Sequence, residues 1–191
     1  MTGESSAAAA AGLAPAVVTE HGGDLAVAAS ATFSDDRAYR YALTRQWDAG
    51  RPTAVFVMLN PSTADAHRAD PTVTRCLGFA RRENCGGLVI VNLFALRATD
   101  PRELRAHPDP VGAVNDRFIR EHCAAGRLVI AAWGAHGRLG GRDRAVLALL
   151  GEARTEVRSL GVTAGGMPRH PLYLPRSARL QSYAPAGQAA P

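Results

Sequence analysis

The chain has 191 residues and no lysine; all 22 of its Lys-plus-Arg positions are arginine. This absence removes two kinds of chemistry. No side-chain amine is present to form a Schiff base, and no phosphate loop of the Walker type can form without its lysine. A high genomic GC content is a simpler cause of the bias than selection for arginine. Cysteine is also scarce. Cys76, Cys85 and Cys123 show no CxxC spacing, are too few for a four-thiolate cluster and suggest no disulfide framework. A reduced cytoplasm is therefore the expected compartment, and neither a metal nor a cofactor is expected. No apolar run approaches the ~20 residues that cross a bilayer, so no membrane association is expected. The N-terminus lacks a basic region followed by an apolar one, so a signal peptide is not expected either. The net charge of +5 is compatible with a phosphate-bearing partner.

What is present reads as a single folded unit over residues 25–180. Residues 1–24 are rich in Ala, Gly and Ser and read as a disordered leader; residues 181–191 read as a flexible tail. Residues 25–33 and 39–43 suggest an N-terminal β-hairpin turning at Ser34-Asp35-Asp36. Strands and helices then alternate. Residues 54–59 are all apolar, the mark of a strand buried on both faces. Asp70-Pro71 opens a helix with Asp as N-cap and Pro in the first turn, and Val73, Cys76, Leu77 and Ala80 share one face. Further strands are expected over 88–91, 128–132 and 157–160. A short helical turn is expected from Asp100, a longer helix from Asp109-Pro110, and a helix over 142–153 with Ala145, Leu149 and Leu150 inward. The expected fold is a three-layer α/β/α sandwich with a mostly parallel central sheet of about four strands plus an N-terminal β extension.

Four polar stations fall at the expected strand ends. They are Asn60-Pro61-Ser62, Asn92-Leu93-Phe94, Trp133-Gly134-Ala135-His136 and Arg169-His170-Pro171-Leu172-Tyr173-Leu174. In a parallel sheet these ends share one edge, where ligands bind, so the stations should converge on one cleft. Each also has a plain structural reading. Asn60 fits a turn cap, Trp133-Gly134 a core residue and a tight turn, and His170-Pro171 a structural loop. Asn92 is harder to dismiss, because a strand-end amide must find partners. Taken together, four such stations favour a shared site. Asp65, His67 and Asp70 have few carboxylates for a hard-cation site, and Asp70 is better explained as a cap. Ser62 lacks the GxSxG elbow of a serine nucleophile. Cys85 beside Gly86-Gly87 has no particular partner.

At these residues two resemblances appear. The motifs around Trp47-Asp48, Met58-Leu-Asn-Pro-Ser-Thr-Ala-Asp65, Asp70-Pro-Thr72, Asn92-Leu-Phe94, Arg97-Ala-Thr-Asp-Pro101, Trp133-Gly134 and Arg169-His-Pro-Leu-Tyr-Leu174 resemble a bacterial and phage family of domains of unknown function. That likeness covers roughly residues 37–176. The order of the stations is also similar to the uracil-DNA glycosylase superfamily. There, a Gly-x-Asn/Asp-Pro turn positions the attacking water, a later strand-end Asn reads the base edge, another strand ends near Trp-Gly, and a His-Pro-Ser-type loop stabilises the departing base. The resemblance gives Asn60 and His170 catalytic roles. It gives Pro61, Ser62, Asn92, Phe94, Trp133, Gly134, Arg169 and Tyr173 substrate-binding roles. Leu59 stands where a glycine is usual and Leu172 where a serine is usual. The base-stacking aromatic is open between Phe79, Phe94 and Trp47, and Arg169, Arg176 or Arg138 would meet phosphates.

Three functions follow. The first is a monofunctional nucleobase N-glycosidic hydrolase acting on nucleic acid or nucleotides. The second is a non-catalytic nucleotide or nucleic-acid binding module. The third is another α/β enzyme acting on a small phosphorylated substrate through Asp65 or His136.

Overall fold

The computed structural model describes residues 16–184. Eight strands form one sheet: β1 (Val17–Gly23), β2 (Ala28–Ser34), β3 (Arg40–Gln46), β4 (Thr53–Met58), β5 (Gly87–Asn92), β6 (Leu128–Ala131), β7 (Val157–Ser159) and β8 (Gln181–Ser182). Their spatial order is β1-β2-β3-β5-β4-β6-β7-β8. The pairings β5–β4, β4–β6 and β6–β7 are parallel. The other four, β1–β2, β2–β3, β3–β5 and β7–β8, are antiparallel. This corrects the expected mostly parallel sheet of about four strands. The sheet is mixed, has eight strands, and is antiparallel in most of its pairings. The extra strands left little trace in the residue pattern. β1 is mostly exposed and is held by pairing with β2 rather than by an apolar face. β8 is two residues long. Residues 1–15 of the expected leader and 185–191 of the expected tail lie outside the described residues, whereas Val17–Gly23 and Gln181–Ser182 are paired strands.

The run at 54–59 is continuously apolar because β4 is covered on both faces. Ala54, Phe56 and Met58 join one buried cluster, and Val55 and Val57 join the other. Helix α1 (Pro71–Arg82) covers the first face with Val73, Cys76, Phe79 and Ala80. Helices α3 (Asn115–Ala125) and α4 (Arg142–Glu152) cover the second, while Leu104 of α2 (Pro101–Ala106) joins the same cluster. Burying each large side chain in these clusters is worth roughly 1.5–3 kcal/mol.

Two of the three Asp-Pro pairs act as read. The Asp70 carboxylate accepts from the Val73 N–H at 2.8 Å, and Asp100 forms a capping box with Glu103. The third is corrected. The Asp109 carboxylate accepts from the Gly112 N–H at 3.0 Å, a local turn that competes with helix, and α3 starts only at Asn115. The inward face of α4 is corrected too. Val146, Leu147 and Leu150 are buried, Leu149 is half-buried and Ala145 is exposed.

The sheet order positions the site. From β4 the chain moves to β5 on one side, then crosses back to β6 on the other. The loops after β4 and β6 therefore part at a point where the winding reverses, the place where open α/β sheets bind ligands.

Candidate functional site

A cleft of about 570 Å³ opens at the carboxyl ends of the parallel strands. Asn60 and Ser62 after β4, Asn92 at the end of β5, and Trp133, Gly134 and His136 after β6 all line it. Arg169, His170 and Tyr173 close it from the loop after β7. Two of the expected residues stand apart. Phe94 is buried in the core beneath α3 and α4, and Pro61 is buried behind Asn60, with its carbonyl held by the Ala98 N–H at 3.0 Å.

The Asn60 side chain is pinned. Its amide nitrogen donates to the Ala98 carbonyl at 2.7 Å and the Pro61 carbonyl at 3.0 Å. Two carbonyl neighbours require the nitrogen on that side, so Oδ1 faces away as a fixed acceptor. His170 is held differently. Its Nδ1 accepts from the Leu172 N–H at 3.3 Å, at the head of a single 3-10 turn, Pro171–Tyr173. Burial lowers its pKa below the ordinary histidine value, against the smaller opposing pull of Asp70. The ring is thus neutral at pH 7, and with Nδ1 accepting, the proton sits on Nε2. A neutral Nε2–H is a hydrogen-bond donor that keeps its proton.

Three further residues that line the cleft carry buried polar groups without partners among the described residues. Asn92 is 1% exposed, and neither atom of its amide has a partner among the described residues. The Trp133 indole N–H and the Arg40 Nε are orphaned in the same way. An unsatisfied buried polar group costs about 1–3 kcal/mol, and native structures keep few of them. Here Arg40, Asn92 and Trp133 all line one cleft.

The backbone that carries Asn92 is braced from below. The Asn115 amide, at the start of α3, donates to the carbonyls of Asn92 at 3.0 Å and Leu93 at 3.1 Å. Arg142, at the start of α4, donates through Nε to the Leu93 carbonyl at 2.7 Å and pairs with Asp116. Gly134 takes φ 73°, and its N–H donates to the Pro168 carbonyl at 2.9 Å, tying the β6 loop to the His170 loop. A Cβ at Gly134 would meet the His170 Cβ at 3.6 Å, but the left-handed backbone there favours glycine.

Arg40, Asn115 and Arg142 were not readable as site residues. Arg40 falls in the expected N-terminal hairpin and is 3% exposed. The pairing of β2 with β3 steps from Thr32↔Ala42 to Phe33↔Arg40, a bulge that re-aims this end of β3. Burial pulls the Arg40 guanidinium down to about 10, offset in part by Asp70. Its Nη1 donates to the Ala64 carbonyl.

None of the three aromatics considered for base stacking lines the cleft. Phe79 is buried under the guanidiniums of Arg75 and Arg82, Trp47 lies beneath Arg81, and Phe94 is core. The exposed aromatic at the cleft is Tyr173, 79% accessible and 5.6 Å from the His170 ring. Of the phosphate-facing candidates, Arg169 lines the cleft, while Arg138 donates to the Gly165 carbonyl and Arg176 lies beside α1. The Asp65 carboxylate accepts from the His67 and Arg68 N–H groups at 2.8 Å each and does not line the cleft. Those hydrogen bonds hold its pKa below the usual carboxylate value despite partial burial. No group of three or more His, Cys, Asp or Glu side chains among the described residues could hold a metal. No helix among them is long and apolar enough to cross a membrane.

No curated protein matches the chain. One family does match, over residues 40–172, a span that runs from the buried arginine of β3 to the loop of His170. The chain belongs to that family, described as "Protein of unknown function (DUF1643)".

Proposed function

We propose that the cleft hydrolyses the N-glycosidic bond of a nucleobase in nucleic acid or a nucleotide. The observation that carries this reading is that Asn60, Asn92 and His170 line one cleft, with Asn60 and His170 each fixed in a defined hydrogen-bonding state. The reaction adds water across the bond between sugar and base. The bond's electron pair leaves on the base, positive charge builds on the sugar, and the proton shed by water ends on the departed base. Asn60 offers Oδ1 as a fixed acceptor for the attacking water. It is not basic enough to take the proton, so its part is orientation. His170 offers Nε2–H to an oxygen of the base as negative charge develops there, and such a preorganised donor is worth roughly 10²–10³ in rate. Asn92 carries both a donor and an acceptor, the pattern that pairs with a pyrimidine edge. With no lysine, water is the nucleophile and no covalent adduct to an amine forms. Three free, buried cysteines support a reducing cytoplasm as its compartment.

The non-catalytic binding module has its own support. Leu59 fills the place of a glycine and packs against the core, and Leu172 is exposed where a serine hydroxyl would serve. One experiment separates the two. Purified protein is incubated with oligonucleotides carrying uracil, other deaminated bases or normal bases, and abasic sites are scored. Cleavage that disappears in Asn60→Ala and His170→Ala supports the hydrolase. Binding with no abasic product from any substrate supports the module.

A further inference from the structure

A second concavity, about 920 Å³, lies at the opposite edge of the sheet, where β6 and β7 begin. Five arginines line it, Arg82, Arg127, Arg154, Arg158 and Arg179, against two carboxylates, Glu83 and Glu156. Arg82 pairs with Glu83 and Arg158 with Glu156. Arg127, Arg154 and Arg179 are exposed and make no ion pair among the described residues.

A plain cause for such arginines exists. α1, α3 and α4 all end here, and cations offset the negative ends of helix dipoles. The magnitudes leave a surplus. Three helix ends amount to about −1.5 charges at roughly −0.5 each. The side chains around the groove sum to five positive and two negative, a net of three positive. Arg154 adds an independent sign. It holds φ 52° just past the end of α4, a position where helices ordinarily place glycine.

A third concavity lies between the groove and the cleft. This hollow along α1 is lined by Arg75, Arg82 and Arg176 and shares Arg82 with the groove and Asp70 with the cleft. The path thus runs the length of α1, 12 residues or about 18 Å, from one edge of the sheet to the other.

We propose that this arginine track docks the phosphate backbone of a single-stranded nucleic acid whose one nucleotide reaches the cleft. The inference rests on the proposed function only for what occupies the cleft. A single strand is specified because the track passes around the body between opposite sheet edges, and duplex DNA is stiff over about 150 base pairs. At about 3.4 Å per stacked nucleotide, some five or six nucleotides span the track, which makes a polymer, not a free nucleotide, the ligand.

The test is fluorescence anisotropy with undamaged oligothymidines of three to twelve nucleotides, over a salt series, using the full chain. It needs no catalysis, so its failure is distinct from failure of the hydrolase reading. For the wild type, affinity should climb with length to about six to eight nucleotides and then level. Arg127→Gln/Arg154→Gln/Arg179→Gln should bind the 12-mer at least tenfold more weakly, with a salt slope smaller by about 2. Arg102→Gln/Arg117→Gln, exposed arginines outside the groove, the hollow and the cleft, should bind it like the wild type. Unchanged thermal melting of the triple variant shows that its fold is intact. Equal 12-mer affinity and slope in the triple variant overturn the proposal. So does equal competition by poly-glutamate of matching charge, which would mark a general polyanion site, and so does tighter binding of duplex than single strand.

Discussion

The two edges of this sheet solve opposite problems. At the carboxyl edge, polar groups are buried and short of partners among the described residues: the Asn92 amide, the Trp133 indole N–H and the Arg40 Nε, all on residues that line one cleft. At the amino edge, charges are exposed, and three arginines stand without carboxylate partners among the described residues. Unsatisfied buried groups discriminate sharply, because each needs one partner at one place. Exposed charges act over a Debye length of about 8 Å and are screened by salt. The cleft is therefore suited to choosing a ligand, and the groove to holding a long one. Their substitutions should behave differently.

The largest expected difference is catalytic. His170→Ala and Asn60→Ala should each lower base release by about 10²–10³, read as single-turnover rates at saturating oligonucleotide, with binding to undamaged 12-mer unaltered. A parallel loss of that binding would mean the two edges do not work separately.

Next comes a trade of stability against recognition. Asn92→Leu replaces an orphaned amide by an apolar group of similar size. It should stabilise the fold by about 1–2 kcal/mol while abolishing recognition in the cleft. Urea unfolding measures it. A destabilised Asn92→Leu variant would mean that the amide has found a partner in solution. Arg127→Gln, at the other edge, should stay within about 0.5 kcal/mol of wild type.

The pH response should also differ. Burial lowers the pKa of both His170 and His122, so the folded chain holds neutral rings. Below the unfolded value of about 6.5 the unfolded chain binds more protons than the folded one. The stability tied to these rings is therefore whole above about pH 6.5 and is lost as pH falls toward the lowered folded values. Thermal melts at pH 7.5, 6 and 5 should show a shallower acid loss in His170→Gln than in wild type. Identical pH profiles would remove burial as the cause of the neutral ring.

The smallest effect belongs to the groove. Arg154→Gly should gain stability, by no more than about 1 kcal/mol, through relief of a left-handed backbone, while weakening oligonucleotide binding. A loss of stability would show that the arginine makes a contact the backbone argument ignores.

Much of the cleft could be read from residues because its groups sit where apolar strands stop. Asn60 and Asn92 follow runs of buried aliphatics, and such a boundary is local. The helix starts at Asp70 and Asp100 were readable for the same reason, since a cap and its proline are adjacent. Asp109 shows the limit, because the same dipeptide closes a turn when the next residues include Gly112. Arg40 shows another. Its burial depends on a bulge in a strand pair, and a bulge is set by the partner strand, not by the neighbours of Arg40. The antiparallel wing was misjudged because β1 buries little, so backbone pairing rather than side-chain pattern holds it. Asn115 and Arg142 escaped notice because their partners are main-chain carbonyls distant in sequence.

The pairing of β3 with β5 has a consequence for synthesis. β3 is complete at Gln46, but its partner starts at Gly87. At about 5–20 residues per second, the nascent β2–β3 hairpin waits on the order of 2–8 s with one edge open, bearing Arg40 and Tyr41 that will later be buried. A ribosome stall after the hairpin has emerged and before β5 emerges would lengthen that exposure. The interval between emergence of Gln46 and emergence of Gly87 is where slowed translation should most increase aggregation of this chain.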